Sequence, residues 1–599
     1  MKLYPAFTAA AVICCCAISV QAAEKNEDAV IVTATRTAQT ADETLAPVTV
    51  ITRADIERSQ AKTVAELLAG SVGIDANISG GYGKTTSLSV RGTNADHLVV
   101  LVDGIRIGSA TLGSASWQFL PIEQIDRIEI VRGPRSSLYG ADAIGGVIQI
   151  FTRKGAQGFR AGAEAGRGTF DTRQYSGNLS GAAGGFHYSA AAAHFKTDGI
   201  NSRTIQAANE PDKDGYYNES FTSRLGYRFT ESTEIQAHVL HAQGNSKYDG
   251  SFTNETDFIQ NAVGADFRTA PTKVWNTKLQ VAHSRDETDD LFDGLKKSNF
   301  NTNRRLQSWQ NDVALTPEQL LTLGIDHQTD LIQTSSAYRE NSRDNTGYFT
   351  QYQAGFGRHD ALLGVRRDEN QAYGTNDTGN LAWGYAILGE QLRVVASYGN
   401  AFKAPTFNQL YSSVGNPDIN PEESESYELG LRGKAPVTSW AVHAYQTNVD
   451  NLIVFQPPTF QAININKARI RGLEGEISAM TNRNRATVNL TFLDPRDVET
   501  DKLLPRRPKR SLKIEDEYTL GRWRLGATWL AQSYRYDDPQ NTTRMGGYSV
   551  VDLNARFDVG KYWFLKMHAG NIFDKQYETT ATYNSPGRNY FFSMGYQYN

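Results

Sequence analysis

The chain has 599 residues and a formal net charge of -4, with both signs mixed along it, so nothing points to a nucleic-acid partner. Its three cysteines, Cys14 to Cys16, share one N-terminal apolar run, which leaves the rest without a thiol for a disulfide or a thiolate metal site. Aromatic residues are plentiful (28 Tyr, 26 Phe and 8 Trp) while mean hydropathy is low, a mixture that fits a secreted soluble protein or an outer-membrane β-barrel.

In chain order, residues 1–22 read as an export signal. Lys2 precedes an apolar run from Ala6 to Val20, and Val20-Gln-Ala22 supplies small residues for cleavage after Ala22. The run is too short for a membrane anchor, Val12-Ile13 makes no lipoprotein box, and no later stretch of about 18 apolar residues could form a transmembrane helix. Residues 23–36 form a polar arm. Within it Asp28, Ala29, Val30, Ile31, Val32, Thr33, Ala34 and Thr35 make a short β-branched segment suited to adding a strand to another protein's sheet edge. Composition serves equally well for the first strand of the following domain.

Residues 37–153 read as a compact α+β domain. Thr52-Arg-Ala-Asp55 with Ile56 to Ser59 predicts one short helix, and Thr63 to Ala69 another, with Asp55 and Thr63 as candidate N-caps. His97 to Gly104 and Ile125 to Val131 predict strands, the first apolar enough to be buried on both faces. Gly140, Gly145 and Gly146 lack the spacing of a dinucleotide fingerprint and read as turn glycines where the domain packs closely.

From residue 154 to 599 the pattern is all β. In Tyr590 to Tyr598, Tyr590, Phe592, Met594, Tyr596 and Tyr598 share one face while Ser593, Gly595 and Gln597 take the other. Leu392 to Tyr398 and Tyr348 to Tyr352 repeat the pattern, separated by turn-rich polar stretches. Alternation sustained this far favours a transmembrane β-barrel over a soluble sandwich, and 22 antiparallel strands of about 9–11 residues fit the available length. The ten histidines are scattered and no nucleophile–base or paired-carboxylate set stands out, so an enzyme is not expected.

One stretch resembles half a calcium loop. In Asn209 to Asn218, Glu210, Asp212 and Asp214 alternate before Gly215, but the twelfth position, where an EF-hand needs glutamate, is Phe221. Further acidic residues lie nearby in the chain: Asp198 upstream, and Asp249 and Asp257 in the next polar stretch. Taken alone, acidic loops of this kind are usually just solvated.

Several motifs together carry a family resemblance: LSVRGTNADHLVVLVDGIRI (88–107) and IDRIEIVRGPRSSLYGADAIGGVIQIFTRKG (125–155), then AFKAPTFNQLY (401–411), NPEESESYELGL (420–431), RIRGLEGEI (469–477) and GNIFDKQYET (570–579). With the export signal and the DAVIVTATR arm, the chain resembles the TonB-dependent transporters of Gram-negative outer membranes. Within that family it is most similar to the cobalamin (vitamin B12) transporters.

The resemblance implies a plug domain (37–153) inside a 22-stranded barrel (154–599), a TonB box at 28–35 that pairs with the periplasmic TonB energy-coupling protein, and a monomer embedded in outer-membrane lipid. It implies calcium, as two ions, held by Asp198, Glu210, Asp212, Asp214, Tyr248, Asp249 and Asp257. It places cobalamin against Thr85, Ser87 and Asn94 at the plug apex, Thr111 and Leu112 on the next plug loop, and Tyr248, Gly250 and Arg506 on barrel loops. Tyr536-Asp-Asp-Pro539 does not align with a contact tyrosine of the family, and Asn599 replaces the usual terminal aromatic. The alternative ligands are a siderophore, haem or another cobamide. The alternative classes are a passive porin, which needs neither plug nor arm, and a calcium-dependent surface adhesin.

Overall fold

The structure is a computed structural model that describes residues 31–32, 36, 39–40, 43–155, 157–204, 212–456, 461–464 and 467–598. The export signal, most of the arm and Glu210 therefore lie outside the described residues. No helix among the described residues is long and apolar enough to cross a membrane.

The α+β domain is built on a five-stranded sheet in the order Val48–Thr52, Ile125–Arg132, Gly146–Thr152, Leu98–Val102, Ile105–Arg106. The Leu98–Val102 strand pairs parallel with Gly146–Thr152 and is buried on both faces, as its unbroken apolar run requires. Helices Arg53–Ser59 and Val64–Leu68 cover the sheet. The N-cap of the first is Thr52 and not Asp55. Asp55 sits at the third helical position and reaches back to the Thr52 backbone, so both members of a capping box are present. Thr63 caps the second helix through the Glu66 N–H. Val64, Leu68, Leu88, Ile128, Ile130 and Ile148 are completely buried at the centre. Gly145 and Gly146 are required by close approach, because a Cβ at either would run into Thr93 or the Val131 carbonyl.

Around this domain runs a closed barrel of 22 antiparallel strands, from Gly158–Gly168 to Asn589–Tyr598, which pair with each other to close it. The closing strand turns Tyr590, Phe592, Met594 and Tyr598 outward and buries Phe591, Ser593 and Gly595, the alternation its sequence announces. Strand length departs from expectation. Strands run up to 22 residues in Leu295–Thr316, about 73 Å of chain at about 3.3 Å per residue, so the wall stands well clear of the membrane. One end carries tight turns such as 184–185 and 273–274 and the other carries long loops, which identifies the periplasmic and extracellular rims respectively.

Plug and wall are joined by buried ion pairs. Arg91, only 2% exposed, bonds both Glu428 (2.9 Å) and Glu474 (3.0 Å), and Arg132 lies 3.3 Å from Glu474. Arg535 reaches from the wall to Asp75 at 2.9 Å and Asn77 at 2.8 Å. In the arm, Ile31–Val32 pairs antiparallel with Gln39–Thr40, and Arg36 forms a two-point bond to Asp326 at 2.8 and 3.1 Å.

Candidate substrate and cation site

The plug apex and the extracellular loops meet at the top of the lumen. Strands Ile74–Ile78 and Thr86–Val90 form a hairpin whose turn carries Lys84 and exposed Thr85, with Ser87 half-buried one step down and opposite Asn77. Asn94 opens the single turn Ala95–His97, whose His97 is buried against Glu422 at 2.8 Å. On the next plug loop Leu112 is 64% exposed, whereas Thr111 is 1% exposed with its hydroxyl against Ser109 at 2.7 Å. Of that pair, then, only Leu112 presents its side chain. The Thr111 hydroxyl is turned inward because the loop folds over its own Ser109 and leans on the helix Phe407–Tyr411.

The acidic loops are brought together in part. Carboxylate oxygens of Asp212, Asp214 and Asp249 all lie within 4.8 Å of one another. Asp214 is buried and accepts the Ser202 N–H at 2.7 Å, while Oδ2 of Asp249 is buried with no partner among the described residues. Burial raises the pKa of Asp214, and Asp212 adds to the rise. Burial likewise raises that of Asp249, with Asp214 and Asp212 as the neighbouring charges. Such a cluster resists carrying its full negative charge without a cation. Lys84 offsets part of it from the plug side, and burial lowers the lysine's own pKa to about 8. Arg203 offsets more of the charge at Asp249.

Asp198 and Asp257 are not in that cluster. Asp198 is exposed at the end of the strand Phe186–Thr197. Asp257 has the outward position of its strand and accepts from Asn245 at 2.8 Å. Tyr248 directs its hydroxyl to Thr253 at 2.8 Å. Gly250 packs so closely on the Thr253 carbonyl that a Cβ there would collide with it.

Two contacts went unforeseen in the sequence. Arg506 bonds Asp537 at 2.7 Å, inside the Tyr536-Asp-Asp-Pro539 segment. Its neighbour Arg507 reaches the plug, donating to the carbonyls of Gly92 (3.0 Å) and Thr93 (3.1 Å) and to Oδ1 of Asn94 (2.6 Å). The left-handed backbone of Arg506, φ 62°, rotates the next side chain inward, which residue type alone does not signal. With its oxygen occupied, Asn94 retains an NH2 group that can donate to an acceptor above it.

A plug held inside a 22-stranded barrel by buried ion pairs, with long loops over its apex, defines a plugged outer-membrane receptor. The sequence matches the family "TonB dependent receptor-like, beta-barrel" over residues 158–573 and "TonB-dependent Receptor Plug Domain" over residues 40–147. The chain belongs to the TonB-dependent receptors, proteins of the outer membrane that transport their ligands with the help of TonB. It is 34% identical over 592 residues to the vitamin B12 transporter BtuB of Photobacterium profundum, with 96% of each chain covered. Among solved structures it is similar to the siderophore receptor PirA of Acinetobacter baumannii (TM-score 0.81, 18% identity, 94% of this chain and 100% of that one). It is also similar to the ferric enterobactin receptor PfeA of Pseudomonas aeruginosa (TM-score 0.80, 18% identity, 92% and 98%). These two likenesses establish the fold.

Proposed function

We propose that the chain takes up cobalamin across the outer membrane, on extracellular loops ordered by calcium. The observation that carries this reading is the 34% identity, sustained over 96% of both chains, to a vitamin B12 transporter. The site is chemically suited to it. Leu112 offers apolar surface to a corrin face, and Thr85, Ser87 and Asn94 offer hydroxyl and amide groups to its amide-rich rim.

Calcium is a hard cation that takes about 6–8 oxygens. Asp212, Asp214 and Asp249, with the unpartnered Oδ2 of Asp249, supply a donor set of that kind. Asp198, Glu210, Tyr248 and Asp257 are the further candidates, and a second ion would draw on them. Bound calcium would relieve the repulsion among the carboxylates and hold two loops in place, lowering the entropy lost when substrate binds.

In this reading, ligand binding at the apex releases the 28–35 arm to the periplasm, where it pairs with TonB by strand addition. Pulling then displaces the plug. The test is uptake of labelled cobalamin by cells that lack their own cobalamin receptor and express this chain, with and without TonB. Uptake that requires both proteins supports the reading. Uptake of a ferric siderophore or haem in place of cobalamin would reassign the ligand, and uptake without TonB would indicate a porin.

A further inference from the structure

Between plug and wall lies a cavity of about 380 Å³ that follows one side of the lumen almost from rim to rim. Ser232, in the periplasmic turn 229–233, lines its lower end, and Tyr373, in the extracellular turn 371–373, lines its upper end. Its volume is at the small end of the roughly 300–1,000 Å³ of sites that enclose drug-sized molecules. A corrinoid would pass along it only after the plug had moved away from this part of the wall.

Charge is distributed unevenly along this seam. In the upper part every arginine is matched. Arg343 and Arg304 share Asp330, Arg366 bonds Asp368 and Asp326, and Arg106 bonds Asp142. In the lower part five cations converge: Arg127, Lys154, Arg224, Arg268 and Lys278. Three of them are satisfied, Arg224 by Asp103, Arg127 by Glu129 at 2.8 Å and Lys278 by Asp266 at 3.0 Å. The other two are not. Among the described residues Lys154 and Arg268 bond no carboxylate, and Glu234, opposite Arg268 in the ladder, is engaged by His187 at 3.0 Å. Lys154 lies exposed on the linker from plug to barrel, its Nζ 5.8 Å from the centroid of the Phe151 ring.

Lys154 and Arg268 are exposed at the lower end of this cavity, and unmatched cations there attract an anion that reaches it. We propose that Lys154 and Arg268, with Arg127 and Arg224 beside them, form an exit-side anion site that receives the phosphate of a ligand translocating along this seam. The proposal rests on the cobalamin reading, since cobalamin carries one phosphodiester, in its nucleotide loop. It adds to that reading a side of the plug along which the ligand moves and a chemical group that is recognised after release from the apex.

The experiment compares the wild-type chain with Lys154→Gln/Arg268→Gln in receptor-deficient cells containing TonB. Surface binding and initial uptake are measured for labelled cobalamin and for a corrinoid that lacks the nucleotide loop and its phosphate. The expected result is unchanged binding of both, cobalamin uptake lowered about ten-fold, and uptake of the phosphate-free corrinoid unchanged. The charge-preserving Lys154→Arg/Arg268→Lys variant should keep wild-type rates. Unchanged cobalamin uptake in the Gln variant, or an equal fall for both corrinoids, would overturn the proposal. If the wild-type chain binds no cobalamin, the ligand assignment is what fails, and this inference fails with it.

Discussion

Replacing Glu474 by alanine should loosen the plug within an intact barrel. Glu474 is fully buried and bonds Arg91 at 3.0 Å and Arg132 at 3.3 Å, while Arg91 also holds Glu428 at 2.9 Å. The substitution takes from Arg91 one of its two carboxylates and from Arg132 the one carboxylate it pairs with among the described residues. Removing one partner of a buried ion pair costs about 3–5 kcal/mol, mostly because the remaining charge stays desolvated without compensation. At about 1.4 kcal/mol per decade, the equilibrium between seated and displaced plug shifts by roughly two to three and a half orders of magnitude. Ser89, 6% exposed in the plug, provides the reporter. All native cysteines lie between residues 14 and 16, inside the expected export signal, so Ser89→Cys would be the one thiol of a chain without it. Thiol labelling would be followed against urea in detergent, with electrophoretic mobility showing that the barrel remains folded. The Glu474→Ala protein should label at markedly lower urea. Labelling curves that coincide to within about 0.5 kcal/mol would refute the claim that this network seats the plug.

Asp214→Asn/Asp249→Asn should abolish calcium binding, measured by calorimetry, and with it any calcium effect on ligand affinity. Because the pKa values of Asp214 and Asp249 are raised, protons should compete with calcium at higher pH than at ordinary carboxylates, so calcium affinity should fall as pH drops through the raised values. Without calcium the sign reverses: a carboxyl with a raised folded-state pKa destabilises the fold above that pKa, so mild acid should raise the melting temperature of the calcium-free protein. Val32→Pro should eliminate uptake while leaving cobalamin binding at its wild-type level, since proline removes a backbone donor from a segment that must pair as a strand. Leu112→Ser should weaken cobalamin binding about ten-fold in a filter assay, the effect of losing roughly 1.5 kcal/mol of apolar burial against the ligand.

The barrel was legible because its signal is local and repeated. Tyr590, Phe592, Met594 and Tyr598 declare an outward face from their own spacing, and the closed ladder follows once enough strands do the same. The buried Leu98–Val102 strand was legible for a similar reason. Strand length was not, because a strand continuing above the membrane needs no apolar residue to mark where the lipid stops. The helix cap was displaced by three residues because Thr52 and Asp55 are both good caps, and only the reciprocal bond reveals which one begins the helix.

At the candidate site the limits are set by chain separation. Arg507 meets Asn94 across more than four hundred residues, and the choice between it and Arg506 is made by one left-handed backbone angle. Asp212, Asp214 and Asp249 come together from two loops, but Asp257 follows the alternation of its strand to the outer face. Sequence spacing supplied the acidic residues, and strand geometry decided which of them converge.

The central claim is that calcium-ordered loops bind cobalamin, and one equilibrium measurement addresses it. Purified protein in detergent is titrated with labelled cobalamin, first with calcium and then after calcium is removed by a chelator. Saturable binding that weakens sharply on chelation and returns when calcium is restored is the predicted result. Binding unaffected by chelation would contradict the role of the Asp212, Asp214 and Asp249 cluster, and an absence of binding under both conditions would contradict cobalamin as the ligand.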